Sequence, residues 1–351
     1  MRDALPILSA ARDQVPYGIA IAQVSTAIAQ TFAGHFTAAA RLGRHMHETA
    51  QQTQDEWLRP RSATVLGLLA LYRGQADDAA AHLRDAIAAL SPLDAMFVRY
   101  NLAFLARAAA LAGNLAEAQH ALQPPADAPV FPLYDADWQI AEAAVLAAQY
   151  QLADAAQQAM TAAHTAANHA QWGIAAIAAH DAARYTDHPD AGRFLANIAD
   201  LVDGPLPPLL REHALARTSR DPAHLNRVSV DFERLGATLF AAEAAYAAVR
   251  ALHHTGDHPA ASQQATRASE LHSRCHHAFV PWAIGRATHD LTTRERQVAL
   301  LAAAGHPDRH IGTQLGISTR TVQTHLTHVY TKLDVAGRTD LAGALATPET
   351  L

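Results

Sequence analysis

The sequence predicts an all-α protein, a solenoid of stacked helix pairs followed by a small helical head. Three observations carry that reading. Alanine is abundant, half of the residues are apolar, and only 6% are aromatic, a composition suited to helices packed at close range. A turn followed five residues later by alanine recurs along most of the chain. The last sixty or so residues carry helix start and stop signals at short intervals.

The recurring turns are Gly34 with Ala39, Gly74 with Ala79, Gly113 with Ala118, Tyr150 with Ala155, Thr186 with Ala191, and Gly256 with Ala261. They are separated by 40, 39, 37, 36 and 70 residues, and the last interval is split near its middle by a degenerate seventh turn at Arg220 to Ala223. One helix on each side of every turn makes a pair that cannot bury its apolar face alone and has to stack on its neighbours. Such an array is expected to curve and to present a concave inner surface. The segment Leu71 to Leu83 resembles a tetratricopeptide repeat at its Tyr, Gly and Ala positions, whereas the other repeats match only at Gly and Ala. The α-solenoid is therefore read as tetratricopeptide-like.

Proline and glycine set the boundaries. Pro124, Pro125, Pro129 and Pro132 separate one helix pair from the next, and Asp203 to Pro208 does so again. Residues 1–278 are assigned to the solenoid, with residues 1–15 as a lone capping helix, 279–290 to a linker, and 291–351 to the head. Pro281 and Gly285 mark the linker as a short hinge.

The head reads element by element. Thr292 and Glu295 have capping-box spacing, so its first helix starts near Thr293, with Val298, Leu300 and Leu301 following at helical intervals. Gly305 ends that helix and Pro307 restarts the chain. A short second helix is expected from about Asp308 to Leu315, then a turn at Gly316, with Gly312 offering no side chain to hold two helices apart. Ser318 caps a third helix from about Thr319 to Leu333. On it Val322, Leu326, Val329 and Leu333 form one apolar stripe, while Arg320, Gln323, Thr324, Thr327, His328 and Thr331 lie opposite, short or polar enough to enter a DNA major groove.

Residues 291 to 346 resemble the LuxR-type (GerE-like) helix-turn-helix of bacterial transcription regulators. The opening Leu-Thr-x-Arg-Glu of that family stands at Leu291 to Glu295, its Ser-x-Arg-Thr-Val at Ser318 to Val322, and its His-x-x-x-x-Tyr-x-Lys-Leu at His325 to Leu333. The resemblance implies double-stranded DNA as a partner and a fourth helix from Arg338 through Leu341 and Leu345, often the dimer contact. It also implies a DNA-binding set of Arg309, Ser318, Thr319, Arg320, Thr321, Gln323, Thr324, His325, Thr327, His328 and Lys332. Within this set Arg309, Arg320 and Lys332 resemble phosphate contacts, and Gln323, Thr324 and Thr327 a groove-reading group. His325 has two readings, a phosphate contact or an interior histidine. Where many members carry lysine after Thr-Val this chain has Gln323, which removes a cation but can pair bidentately with adenine.

Charge and rare residues narrow the remaining classes. Residues 291–346 carry six Lys plus Arg against four Asp plus Glu, and the rest of the chain 21 against 29, so the acidic bulk does not hold nucleic acid itself. A weakly basic head on an acidic body is expected to bind as a homodimer, where two half-sites add their contacts. The only lysine is Lys332, which excludes a P-loop. The chain thus resembles only the rear portion of large ATP-dependent LuxR-type regulators. A lone Cys275 excludes an intramolecular disulfide, and neither a membrane-length apolar run nor a signal peptide stands out, so a cytoplasmic protein is expected.

Several constellations look chemical. His272, Cys275, His276 and His277, near His253 and His254, suggest a metal site, but histidine is spread over the whole chain and no metal or other cofactor is assigned. Tyr72, Tyr100, Trp138, Trp172 and Tyr246 are assigned to helix packing. Asp77, Asp78, Asp135 and Asp137 are assigned to helix starts, where they complement the macrodipole. With no catalytic constellation the chain is not expected to be an enzyme. The leading expectation is a DNA-binding regulator whose solenoid groove takes a ligand or protein effector. The alternative is a tetratricopeptide-like adaptor with a vestigial DNA-binding head.

Overall fold

The computed structural model describes residues 17–90, 94–123, 131–186, 188, 190–275, 278–280, 291–303, 305–333 and 335–341. The described residues form helices and no strand. Fourteen of these helices make seven antiparallel pairs: α1 Gly18–Ala33 with α2 Phe36–Thr53, α3 Leu58–Arg73 with α4 Ala76–Ala89, α5 Ala95–Leu111 with α6 Leu115–Ala121, α7 Asp135–Ala148 with α8 Leu152–Asn168, α9 Trp172–Tyr185 with α10 Ala191–Ile198, α11 Leu206–Ser219 with α12 Pro222–Leu235, and α13 Thr238–His254 with α14 His258–Ser273. The turn inside each pair falls at one of the seven expected positions. The capping helix expected over residues 1–15 lies outside the described residues.

The alternating glycine and alanine have separate physical causes. Gly34, Gly74, Gly113 and Gly256 hold φ between +73° and +89°, the left-handed conformation that ends a helix with least strain. The alanine five residues on, at 39, 79, 118, 155, 191 and 261, is fully buried in six of the seven pairs, where a larger side chain would push the two helices apart, and Leu225 takes the equivalent position in the degenerate pair. Tyr150 takes the same left-handed turn with φ 65°, so its side chain rather than conformational ease accounts for its presence there.

Later pairs stack on earlier ones, so the array coils back on itself. A side chain on Gly34 would strike Leu206 at the start of α11, and one on Gly74 would meet Leu239 of α13 and the sulfur of Cys275. Gly173 of α9 lies similarly against Phe32 of α1. Among the inner helices, α9 is buried at every position from Ala175 to Tyr185.

This coiling corrects the expectation of an open concave groove. The inner side is filled by a buried ionic cluster. Arg184 of α9 pairs with Asp181 at 2.5 Å and with both oxygens of Glu243 of α13 at 2.6 Å. Arg107 of α5 reaches Asp181 at 3.6 Å and donates to the Tyr72 hydroxyl of α3 at 3.2 Å. These five residues are each at most 6% exposed, so four inner helices meet where an effector was expected to enter.

The interior also holds polar groups that the helix-start and metal readings missed. Asp137 is in the first turn of α7 but is 2% exposed, and among the described residues no other residue hydrogen-bonds its carboxylate. Burial pushes its pKa up to about 7, against the opposing pull of Arg107. His180 and His213 share a 2.8 Å hydrogen bond between Phe232 and Phe240, and burial holds both well below the usual histidine range. His272 uses Nε2 to donate to the Ala278 carbonyl at 2.7 Å, with Nδ1 facing the Tyr246 hydroxyl at 3.5 Å. Cys275 is buried with its thiol pushed up to about 12, and His276 and His277 lie outside the described residues.

Two predictions follow from the packing. Gly74→Ala is expected to destabilise the fold by about 2–4 kcal/mol, from left-handed strain plus the clash with Leu239, whereas Gly256→Ala, with open space around it, should lose only about 1 kcal/mol. Urea titrations of the two variants check the difference. Asp137→Asn removes a charge that burial disfavours. A carboxyl whose folded pKa is raised is destabilising from about pH 4 upwards and fully so above pH 7. The variant should therefore gain on the order of 3–4 kcal/mol over the parent at pH 8, shrinking toward pH 4; a gain independent of pH would refute the assignment.

Candidate nucleic-acid interface

Three further helices form the head: α15 Thr293–Ala303, α16 Asp308–Leu315 and α17 Thr319–Lys332. Their bounds are close to those read from the sequence because each end is fixed by local chemistry. The capping box is closed in both directions, with the Thr292 amide donating to Glu295 Oε2 at 2.8 Å and the Glu295 amide to Thr292 Oγ1 at 3.3 Å. Gly305 and Gly316 take left-handed φ of 85° and 65° at the ends of α15 and α16. Ser318 Oγ accepts from the Thr321 amide at 3.0 Å at the start of α17. The chain is helical again over residues 338–341, and the rest of the expected fourth helix lies outside the described residues.

The turn between α16 and α17 is tight. A Cβ on Gly312 would sit 2.7 Å from the Ile317 carbonyl oxygen, so glycine is what allows the two helices to approach. Val322, Leu326 and Val329 pack with Val298, Leu301, Ile311 and Leu341 in one core, which Leu333 joins from its edge. Two contacts that the sequence reading missed hold this arrangement. Arg294 donates to the Leu315 carbonyl at the end of α16, and Arg338 pairs with Asp308 at 2.9 Å, joining the start of α16 to the last described turn. Their partners are 21 and 30 residues away in sequence, so no local pattern announces them.

The structure brings the expected groove-facing residues together on one open surface. Arg320, Gln323, Thr324, Thr327, His328 and Thr331 are all exposed along α17, Thr319 and Thr321 flank its first turn, and Arg309 is exposed at the start of α16. The Thr324, Thr327 and Thr331 hydroxyls donate to the carbonyls of Arg320, Gln323 and Thr327, so each still offers an oxygen that can accept a hydrogen bond. His325 is half-buried; burial lowers its pKa and Arg294 adds to that, while Glu295 opposes. Lys332 is less free than a bare phosphate contact. Its ammonium lies 2.6 Å from Glu295 Oε2, and His328 Nδ1 lies 3.6 Å from Oε1 of the same carboxylate. Burial raises the Glu295 pKa, but hydrogen bonds from Lys332 and Thr292 outweigh it and hold the group at about 2.

The opposite side of the head rests on the solenoid. Gln314 of α16, 7% exposed, donates to the Ala112 carbonyl at the end of α5 with a 3.4 Å separation, and Gly113 sits directly beneath it. The Phe279 amide donates to the Leu111 carbonyl at 2.6 Å, the Phe279 ring meets Tyr150 edge-on, and the Arg296 guanidinium of α15 lies 5.3 Å from the Tyr150 ring centre. The left-handed Tyr150 thus serves as a pad between body and head.

Comparison with known proteins agrees with this geometry. Residues 289–344 match the family described as bacterial regulatory proteins, luxR family. The chain is 48% identical over 56 residues to Mb0914c, a candidate HTH-type transcriptional regulator of Mycobacterium bovis, a match covering 16% of this chain and 6% of that protein. It is 44% identical over 52 residues to the transcriptional regulatory protein LiaR of Bacillus subtilis, covering 15% of this chain and 25% of LiaR. The chain therefore spans only a small part of the length of these relatives. No described helix is long and apolar enough to cross a membrane. With its capped helices, its glycine-tight turn and this match, the C-terminal segment of the chain is a LuxR-type helix-turn-helix domain.

Proposed function

We propose that the chain is a transcription regulator, and not an enzyme, that binds duplex DNA by placing α17 in the major groove. The observation that carries this reading is the full exposure of the α17 polar face while the other side of the same domain is occupied by the solenoid. The head can meet DNA without first leaving the body. Arg309 and Arg320 would contact phosphates, and Gln323, Thr324 and Thr327 would read base edges, glutamine through adenine N6 and N7. Binding is as a homodimer, with two copies of α17 in successive major grooves about 34 Å apart on a partly palindromic operator. The solenoid takes up a ligand or protein signal and passes it to the head through the contact around Gly113 and Tyr150.

A second reading, a helical-repeat adaptor with a weak head, draws support from the Lys332–Glu295 pair, which engages the single lysine within the domain. Selection of the full chain and of residues 286–351 against random duplex DNA, at low and near-physiological salt, separates the two. A regulator enriches a partly palindromic motif; an adaptor retains nothing that survives the higher salt.

Two variant series test the roles of the residues. Gln323→Ala is expected to relax preference at one base position at a cost of about 1–3 kcal/mol. Arg320→Ala and Lys332→Ala should instead weaken all sequences alike and lower the salt slope by about 1 each. Lys332→Ala should also lower the melting temperature of the domain, since it removes the partner of Glu295. Equal changes in sequence preference for all three would count against the assignment. Loosening the head by Gln314→Ala, or removing residues 1–285, should shift operator affinity several-fold, and unchanged affinity in both would remove the solenoid contact from the mechanism.

A further inference from the structure

The open face of α17 is rich in threonine, and the hydroxyl hydrogens of these threonines are already in use. Thr324 donates to the Arg320 carbonyl at 3.1 Å, Thr327 to the Gln323 carbonyl at 3.0 Å, and Thr331 to the Thr327 carbonyl at 3.0 Å, each one turn back along the helix. A carbonyl can only accept, so in all three the hydroxyl is the donor. All three side chains are exposed, and two parts of each remain available to DNA. One is the acceptor capacity of the oxygen; the other is the γ-methyl, the branch that is not turned onto the carbonyl. Freeing a hydroxyl hydrogen for a base would exchange one hydrogen bond for another, with little net gain.

The donors along α17 are placed elsewhere or are few. Lys332 is held by Glu295 at 2.6 Å, and His328 Nδ1 lies 3.6 Å from the same carboxylate. Arg320 stands in the first turn, where it is assigned to phosphate, which leaves the Gln323 amide as the donor beside Thr324. The middle of the helix therefore presents one amide, acceptor oxygens and methyl groups.

The bases differ in what they ask of such a surface. Guanine shows two neighbouring acceptors, O6 and N7, which need donors. An A·T pair instead shows the adenine N6 hydrogens and the thymine 5-methyl, which suit an acceptor oxygen and an apolar contact, and glutamine pairs with adenine N6 and N7. Cytosine N4 could also meet a threonine oxygen, but its guanine partner brings the two acceptors with it.

We propose that α17 reads A·T pairs at the centre of each half-site, with the methyls of Thr324 and Thr327 packed on thymine 5-methyl groups. The proposal rests on the reading of the head as a DNA-binding domain, and it adds the bases of the target and a discriminating role for the threonine methyls.

The test selects the full chain against random duplex DNA, then remakes the enriched duplex with single thymines replaced by uracil, which lacks only the 5-methyl. A·T pairs are expected at the centre of each half-site, and uracil at a contacted thymine should weaken binding about fourfold, the worth of one buried methyl group. Thr324→Ser and Thr327→Ser keep the hydroxyl and lose the methyl. Each should bind the thymine duplex about fourfold more weakly per half-site and cease to distinguish thymine from uracil at one position. Thr324→Val keeps a methyl in place and should keep that distinction. G·C pairs at the half-site centre, equal binding of every uracil duplex by the parent chain, serine variants that retain every thymine preference, or a Thr324→Val protein indifferent to the methyl would each overturn the proposal and leave the DNA-binding reading standing. Failure to enrich any motif would overturn both.

Discussion

The ionic cluster of Arg107, Asp181, Arg184 and Glu243 is the constraint on which the coil depends. It joins α5, α9 and α13, which come from three different helix pairs, and Tyr72 ties in α3. Two cations and two anions balance within it, and the bidentate contact of Arg184 with Glu243 supplies the directional geometry that makes burial of such charges tolerable. Apolar burial alone would let stacked alanine-rich helices slide, because small side chains form shallow ridges. Charges that tolerate only one arrangement fix how far the coil turns before it meets itself. Loss of one partner would strand an opposite charge at less than 10% exposure, so this cluster is costly to perturb piecemeal.

Closure of the coil also determines where the head goes. The helix-ending glycines of the first two pairs receive the starts of α11 and α13, and the glycine of the third pair, Gly113, receives Leu301, Gln314 and Phe279. The head thus occupies the next position in the stack, above the third and fourth pairs. Phe279, Gln314 and Arg296 cover the turns of pairs three and four there.

Much of this was legible in the sequence, and the legible part is local. The glycine and alanine of each repeat act within six residues of each other, and the capping box, the Gly312 turn and the apolar stripe of α17 act within one or two helices. Their physics is complete in a short window, so the helix bounds of the head could be read almost to the residue. The closed centre of the coil was not legible. Its four charges are spread over more than 130 residues, and each resembles an ordinary solvated residue until the coil brings it inward. The same distance hid Arg294 and Arg338. Asp137 misled for another reason: a carboxylate in a first helical turn usually faces water, and only the stacking of α5 against α7 buries this one.

The position of the head limits how a signal can act on it. Masking α17 is the simplest way to silence a helix-turn-helix domain, but here the solenoid contacts α15 and α16 and leaves α17 open. Control through this contact therefore has to change the orientation of the head rather than access to it. For a protein that binds two half-sites, orientation is a sensitive variable. In the proposed homodimer two recognition helices would have to meet grooves one helical turn apart, and a tilt at Gly113 would be magnified across the head before it reached α17. The contact is suited to such adjustment because, among the described residues, it is modest: two hydrogen bonds, an aromatic pair, an arginine on a tyrosine ring and the packing of Leu301 over Gly113. Interactions of that number are worth a few kcal/mol at most, comparable to the coupling free energies by which one site biases another. A larger interface would hold the head too firmly for a ligand-sized free energy to move it.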